Sequence, residues 1–541
     1  VVSGLIAKWK SSPEHDASGM NAPWPRLLRW RLPAAGLVVV AVFAVLTGRF
    51  WHPHYGFTKF VQLDEADHQS GISEIRAHPV FAYPGFNGYD GSSYLQLAYH
   101  PLLDSPELKP ALDNFSYRAR RILGSALAWL LAGGQPDRIA GTYAALNLGV
   151  WLLFAALLWR LLPVTDARSW AAWVGVVLSA GALHSVRLAL TDLIAATLAT
   201  AALGLAERGR LRGALGVLAL AGLARETVLA AVVALWRGPW FPAHSWLRNA
   251  LRTVLVAVPL LGWMLYVRRQ AGPADQGLGN LSWPVIGWVE KWTETAVEYS
   301  RHPEFAWLIT TTLLATLALS VQAVYVLRRL RWDDPWWRVG AVNVILMALL
   351  GKAVWEGHPG AATRILLPLG VVFAVLVVRD RARWGWIVAG GLTVGSGLLA
   401  LWEVPHDPRE IAAGKFSGGS YVGRVETGWF GVERQSATAW AWTARTGSLA
   451  IETSPAGSVP ARLRLKLRAI SPREVEVREG GTVIWRGLVD PVARWVEVPL
   501  SAPPVPGRRQ LELRSAADPV REGPQPDARA LGFAVYGMEL R

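Results

Sequence analysis

The sequence predicts a polytopic α-helical membrane domain followed by an all-β domain, and three observations predict it. Hydrophobic residues make up 52% of the 541 and charged residues only 18%, against ~25% charged in an ordinary soluble protein. Mean hydropathy is +0.26. Apolar residues come in runs, among them Ala34–Leu46, Val254–Leu265, Leu308–Val326 and Ile365–Val378, several approaching the ~20 residues that cross a bilayer. After about residue 403 the pattern changes to alternating apolar and charged residues, the period of half-buried strands.

Basic clusters place the loops. Those at Arg160–Arg168, Arg208–Arg212, Arg237–Arg252, Arg328–Arg338 and Arg379–Arg383 belong on the cytoplasmic side by the positive-inside rule. Helices then fall at about 34–50, 138–160, 170–186, 190–206, 211–223, 226–240, 248–267, 306–328, 337–354, 362–378 and 385–402. Eleven passes take a cytoplasmic N-terminus (1–33) to an extracytoplasmic C-terminus. The first run follows a basic stretch (Lys8, Lys10, Arg26, Arg29, Arg31) and precedes Thr47-Gly48-Arg49-Phe50, not a small-x-small cleavage site. It reads as an uncleaved anchor. The segments at 211–223 and 226–240 are short for a membrane and are expected to meet near the outer face at Arg225-Glu226.

Within the membrane domain, 34–402, two stretches fall outside. The first, 51–137, is rich in Tyr, Asp, His, Gly and Pro. It ends in an amphipathic stretch, Arg120–Leu131, suited to the membrane surface. The second, 268–305, carries Trp283, Trp288 and Trp292 beside Glu290, Lys291 and Glu294. The 29 tryptophans of the chain fit long membrane interfaces.

The C-terminal segment, 403–541, is the third. Leu463, Leu465 and Leu467 alternate with Arg462, Arg464, Lys466 and Arg468, and Val475 and Val477 with Glu474 and Glu476. Gly/Pro turns such as Ala502–Gly507 separate further strands near Thr482–Trp485, Trp495–Val498, Leu511–Leu513 and Phe533–Leu540. Short strands at this spacing predict an antiparallel sandwich or jelly roll. No internal repeat of 20–50 residues is visible, which weighs against repeat-built transporter folds.

Several chemistries lose support. With no cysteine, disulfides, thiolate metal sites and cysteine nucleophiles are excluded. The net charge of +15 is explained by membrane topology rather than by nucleic acid. No P-loop, HExxH or GxSxG occurs.

The densest polar cluster is Gly85-Phe86-Asn87-Gly88-Tyr89-Asp90-Gly91-Ser92-Ser93-Tyr94, then Asp113-Asn114-Phe115-Ser116-Tyr117-Arg118-Ala119-Arg120-Arg121. Asp90, framed by glycines and by Tyr89, Tyr94 and Tyr117, is a candidate general base for an acceptor hydroxyl. Its bland reading is an Asp-Gly turn. Arg118 and Arg121 can hold a phosphate through forked hydrogen bonds. Asp64 and Asp67, with Glu65, are rival bases or cation ligands, the bland reading being a solvated acidic loop. His52, His54 and His68 have no recognised ligand spacing. Charges at or inside membrane helices are costly unless paired or functional. Asp192 is either a helix cap or a functional acid. Arg225 and Glu226 either bind a phosphate or neutralise each other. Arg364, clustered with Lys352, Glu356 and His358, is a phosphate ligand or a snorkelling side chain.

One helix, a long acidic first outer loop and later helices with outer-face charges resemble the GT-C glycosyltransferases, polytopic enzymes that use polyprenyl-phosphate-linked sugars. Gly88-Tyr89-Asp90-Gly91 with Asp113-Asn114 and Tyr117-Arg118-Ala119-Arg120-Arg121 resembles a group of bacterial GT-C-like proteins. That group carries Tyr-Asp-Gly-Gln-Phe-Tyr. Here Ser92 and Ser93 replace Gln-Phe and Tyr94 is kept. The resemblance covers about 34–402. It implies a glycosyltransferase of the bacterial inner membrane, with a polyprenyl-phosphate sugar donor and a glycan, lipid or protein acceptor. It also implies a first-loop acid as base, Asp90 first and Asp64 or Asp67 as rivals. A divalent cation, magnesium or manganese, can share the charge stabilisation, although the sequence does not demand one. The C-terminal domain is similar to carbohydrate-binding jelly rolls appended to some GT-C enzymes. The competing expectations are a transporter or flippase of lipid-linked glycans, with charges near mid-membrane, and a non-catalytic glycan-binding subunit.

Overall fold

The computed structural model describes residues 26–85, 88–236, 243–271, 278–417, 419–435, 438–454, 462–500, 508–525 and 527–541. The sequence before residue 26, Phe86 and Asn87, part of the Arg237–Arg252 cluster and the Ala502–Gly507 turn lie outside the described residues. The chain folds as a helical domain followed by an antiparallel β-sandwich.

The apolar runs become helices because a backbone in lipid must satisfy its own N–H and C=O groups. Among the described residues, four helices are long and apolar enough to cross a membrane: Pro136–Leu161, Ala167–Arg187, Ser245–Ala271 and Pro303–Leu327. Shorter apolar helices are Leu32–Gly48, Leu211–Ala224, Glu226–Leu235, Pro335–Leu349, Leu367–Arg379 and Trp384–Ala400. Most of helix Asp192–Glu207 is buried among its neighbours. Ser245–Ala271 instead turns Leu251, Val254, Leu255, Val258, Leu261 and Leu265 outward, each more than half exposed. An apolar stripe of that length belongs against lipid, and the protein is a membrane protein.

Side-chain pairing sorts the helix ends into two groups. At one end Arg331 Nη1 meets Asp380 Oδ1 at 2.7 Å, Trp336 Nε1 donates to Glu207 at 2.6 Å, and Arg379 pairs with Glu207. The loops of the clusters near 208, 328–338 and 379–383 therefore come together. The other end, called here the loop face, gathers 51–135 and the turns before Asp192, Arg225 and Arg364.

Several spans differ from the sequence expectation; that at 337–354 ends at Leu349 and that at 362–378 divides into Ala362–Ile365 and Leu367–Arg379. The segment expected at 226–240 is a 3-10 helix, Glu226–Leu235, ending five residues early. At ~2.0 Å per residue it reaches ~20 Å, matching the ~21 Å of the α-helix Leu211–Ala224 before it. The span at 170–186 breaks into Ala167–Val177 and Ala180–Arg187, where Ser179 Oγ accepts from the Ala182 N–H at 3.3 Å. The span at 385–402 breaks into Trp384–Gly390 and Thr393–Ala400. The break of the first packs on the second half of the other: a Cβ on Gly397, inside Thr393–Ala400, would stand 2.3 Å from the Leu178 carbonyl oxygen.

The amphipathic stretch forms helix Leu123–Leu131. Its small residues Gly124, Ser125 and Ala128 are buried, and Ser125 Oγ donates to Tyr94 O at 2.7 Å. Leu130 and Leu131 stay exposed. The stretch at 268–305 is less loop-like than expected, because helix Ile286–Arg301 fills much of it.

The sandwich has two sheets. The six-stranded one runs Thr482–Val489, Arg473–Glu479, Arg508–Arg514, Thr446–Thr453, Gly419–Val425, Glu410–Phe416. The five-stranded one runs Arg494–Pro499, Arg462–Ala469, Phe533–Leu540, Thr438–Thr443, Trp429–Gln435. Leu463, Leu465 and Leu467 face the core with Val475, Val477, Leu511, Leu513 and Val535, as the alternation requires.

The sandwich rests on the loop face. Tyr55, Phe81 and Tyr83 form an apolar cluster with Val422. Around it His52 Nε2 meets Glu410 Oε1 at 3.3 Å, His54 Nδ1 meets Ser420 Oγ at 3.2 Å, and Glu65 pairs with Arg409 at 2.6 Å. Two histidines that spacing left without a role thus lie buried between the domains.

Candidate active site

Asp90 is the first residue of helix Asp90–Tyr99, not the corner of an Asp-Gly turn. A carboxylate there faces the positive end of the helix dipole. Gly91 is set by packing: a Cβ at that position would stand 2.4 Å from Leu188 O and 2.7 Å from Val61 O.

Asp64 and Asp67 brace this helix start. Asp64 N-caps helix Glu65–Ser70, its Oδ1 accepting from the Asp67 N–H at 2.5 Å. Its Oδ2 accepts from the Gly88 N–H at 2.7 Å. Asp67 Oδ2 accepts from Ser92 Oγ at 3.0 Å. Burial pushes the Asp67 carboxyl up, the Ser92 hydrogen bond opposes that, and the charges of Asp64 and Asp113 add to it. Both rival acids are therefore committed to holding Gly88–Ser92 in place.

Arg118 joins two segments of the motif. Its Nη1 lies 2.8 Å from Asp90 Oδ1, while Nε and Nη2 form a fork on Asp113 at 2.9 and 2.7 Å. The Arg118 guanidinium holds the Asp113 carboxyl below the usual range. Burial alone would lower the Arg118 pKa, but the Asp113 hydrogen bond and the Asp90 charge raise it. Asp90 keeps about a third of its side chain exposed, 32%, so a substrate can reach it.

Arg121 is held by two tyrosines and a glutamate. It forks onto Glu226 at 2.9 and 2.7 Å and donates to Tyr94 OH at 3.2 Å and Tyr117 OH at 3.0 Å. Four of its five N–H groups are used in this way and one on Nη1 remains. Arg120 reaches Glu226 at 3.2 Å and stacks over the Tyr117 ring at 4.1 Å. Asn280 Nδ2 donates to Tyr117 OH at 3.2 Å, bringing the second loop to the same tyrosine.

Neighbours in sequence are not partners here. Arg225 and Glu226 do not neutralise each other: Glu226 takes Arg120 and Arg121, and Arg225 pairs with Asp192. Asp192 is not a cap either, since Thr191 holds that position and Asp192 starts the helix. Arg364 leaves the Lys352, Glu356 and His358 group. Its Nη2 donates to Tyr89 OH at 2.7 Å, and the carboxylates of Asp192 and Asp90 are near enough to act on its charge. Its turn, Ala362–Ile365, packs on Gly181, where a Cβ would stand 2.4 Å from Thr363 O.

The folded chain thus brings Tyr89, Asp90, Tyr94, Tyr117, Arg118, Arg121, Asp192, Arg225, Glu226 and Arg364 into one network at the loop face. Among the described residues, Arg364 Nη1, Arg225 Nε and Arg120 Nε are buried without a hydrogen-bond partner. A buried donor left unmade costs about 1–3 kcal/mol, so the network is open to an anion. Arg120 was missed in the sequence; its place in the Arg-Ala-Arg-Arg run was the available signal. Among the described residues no group of three or more His, Asp or Glu side chains converges as metal ligands do. The acids nearest Asp90 engage arginine, serine and backbone N–H groups.

No family model matches the sequence, and no curated protein matches it. Among solved structures the chain is similar to the crystal structure of ArnT from Cupriavidus metallidurans in the apo state. The identity is 16% over 66% of this chain and 62% of that one, with a TM-score of 0.34. It is also similar to the single-particle cryo-EM structure of arabinosyltransferase EmbB from Mycobacterium smegmatis. There the identity is 12% over 97% of this chain and 66% of that one, with a TM-score of 0.32. The chain spans just under two thirds of the length of either. At these TM-scores the likeness sets no correspondence between residues.

Proposed function

We propose that this chain is a membrane glycosyltransferase that moves a sugar from a polyprenyl-phosphate donor to an acceptor hydroxyl at the loop face. The observation that carries the reading is the pairing of a reachable carboxylate, Asp90, with buried guanidinium groups that still have donors to give. A base and an anion holder side by side suit transfer with loss of a lipid phosphate.

In this mechanism Asp90 accepts the proton of the acceptor hydroxyl. The oxygen bonds to the anomeric carbon as the bond from that carbon to the phosphate oxygen breaks, and the lipid phosphate leaves with the electron pair. Arg364 Nη1 and the open donors of Arg225 and Arg120 stabilise the growing charge. Arg118 aims Asp90. Tyr89 holds Arg364, while Tyr94 and Tyr117 hold Arg121. The loop face and the sandwich are then extracytoplasmic and the basic end cytoplasmic, in a bacterial inner membrane. The acceptor is a glycan, lipid or protein.

The test is turnover of radiolabelled polyprenyl-phosphate sugars by membranes containing the chain. Transfer of label out of the donor, with free lipid phosphate appearing in step, supports the reading. Donors that bind and are never consumed contradict it.

A further inference from the structure

The segment that precedes Ala362–Ile365, the element carrying Arg364, forms one wall of a separate cavity. Helix Ile286–Arg301 and residues 352–358 enclose about 210 Å³, lined by Glu290, Lys291, Glu294, Glu298, Trp355 and His358 among others. None of these side chains takes part in the Asp90 network.

The polar groups are held in place. Lys291 Nζ donates to Gly357 O at 2.6 Å, and Lys352 Nζ meets Glu294 Oε1 at 2.6 Å. His358 lies between Thr312 Oγ1 at 3.0 Å and Glu298 Oε1 at 3.2 Å. Burial brings the Lys291 amine down to about 8, against the opposing pull of Glu298, Glu294 and Glu356. The second observation concerns Trp355. It is 2% exposed, and among the described residues its indole N–H has no hydrogen-bond partner although the residue lines the cavity.

We infer that this cavity is a binding subsite for a sugar unit that carries no acidic group, the acceptor glycan's unit in the transfer proposed above, on which its placement rests. Carboxylates accept from sugar hydroxyls, the indole N–H donates to one, and an aromatic edge suits the apolar side of a pyranose. Glu290, Glu294, Glu298 and Glu356 line it against Lys291 and Lys352, an excess of negative charge that repels uronic acids and favours neutral or amino sugars. Glu356, Gly357 and His358 lie on the segment that leads from Lys352–Trp355 into Ala362–Ile365, which carries Arg364, so occupancy of the cavity bears on the site where the phosphate would leave.

The test measures binding of methyl glycosides of glucose, galactose, mannose, arabinose, glucosamine and glucuronic acid to the full chain in lipid nanodiscs. Saturable binding of a neutral or amino sugar, weakened about fivefold by Trp355→Phe as loss of one hydrogen bond predicts, supports the inference. Glu290→Gln should weaken glucosamine more than glucose. No saturable binding by any of them, or equal binding by wild type and Trp355→Phe, overturns it, as does a preference for glucuronic acid. Binding without transfer by wild type removes the transferase reading and leaves the subsite; transfer without binding removes the subsite alone.

Discussion

Arg118 bridges Asp90 and Asp113, with Nη1 2.8 Å from Asp90 and a fork on Asp113. One guanidinium therefore couples the start of helix Asp90–Tyr99 to the segment twenty-odd residues later. Arg118→Met should lower transfer about 100-fold or more, the usual scale for loss of a charged positioning group. Arg118→Lys should recover little, because a lysine cannot fork. Initial rates with a saturating donor check this; full activity in Arg118→Met would remove the bridge from the mechanism.

Glu226 carries two arginines. Its loss strands Arg121, whose side chain is 4% exposed, so Glu226→Gln should destabilise the helical domain by about 3 kcal/mol, the lower end for a broken buried pair because Glu226 itself is partly exposed. Replacing both partners, Glu226→Leu with Arg121→Met, should recover much of the loss. Thermal unfolding in detergent measures both. A double variant no more stable than the single one counts against the pairing.

Gly91 and Gly141 separate packing from propensity. Gly91→Ala places a methyl carbon against Leu188 O and Val61 O and should cost about 1–3 kcal/mol by overpacking. A Cβ at Gly141 meets nothing within 4 Å, so Gly141→Ala, inside helix Pro136–Leu161, should stabilise by about 0.5–1 kcal/mol. Opposite shifts in melting temperature are expected. Equal shifts would contradict the close approach at Gly91.

The docking of the sandwich should depend on pH through His54. Burial first, then the charges of His52 and Arg424, bring its pKa from 6.5 down to about 4. The undocked state therefore binds more protons between those values, and stability falls as pH drops from 6.5 toward 4. Glu410 is held low against its burial by His52 and by the charges of Lys59 and Arg434, so its contribution is present above the unfolded value and is lost as pH falls through its lowered value, which adds to the same trend. Proteolysis between Leu401 and Glu410 should speed up at pH 5 relative to pH 7 in wild type and change less in His54→Gln. The same ratio in both would remove His54 as the cause.

Much of the fold was legible because it is local. Runs such as Ile365–Val378 announce helices, and the Leu463-Leu465-Leu467 alternation announces a sandwich strand, since period alone sets which face is buried. The helix breaks at Ser179 and Gly391 were not legible, because each depends on what packs against it. The site residues were legible as chemical types but not as pairs. Arg225 beside Glu226 invited mutual neutralisation, whereas their partners, Asp192 and Arg121, lie 33 and 105 residues away. Nothing in a period or a composition encodes that distance. Asp64 and Asp67 stood as rivals to Asp90, and their hydrogen bonds to Gly88 and Ser92, which no spacing encodes, are what set them apart from it.

In the proposed mechanism Asp90 accepts the proton during transfer, and comparing Asp90→Asn with wild type at saturating polyprenyl-phosphate sugar tests this. Asparagine keeps the shape and a weaker contact to Arg118 while removing the basic carboxylate. Single-turnover transfer should fall by about 100-fold or more with donor binding retained. Transfer by Asp90→Asn within a fewfold of wild type, with Asp67→Asn abolishing it in a chain that still folds, would contradict the account and move the base to Asp67.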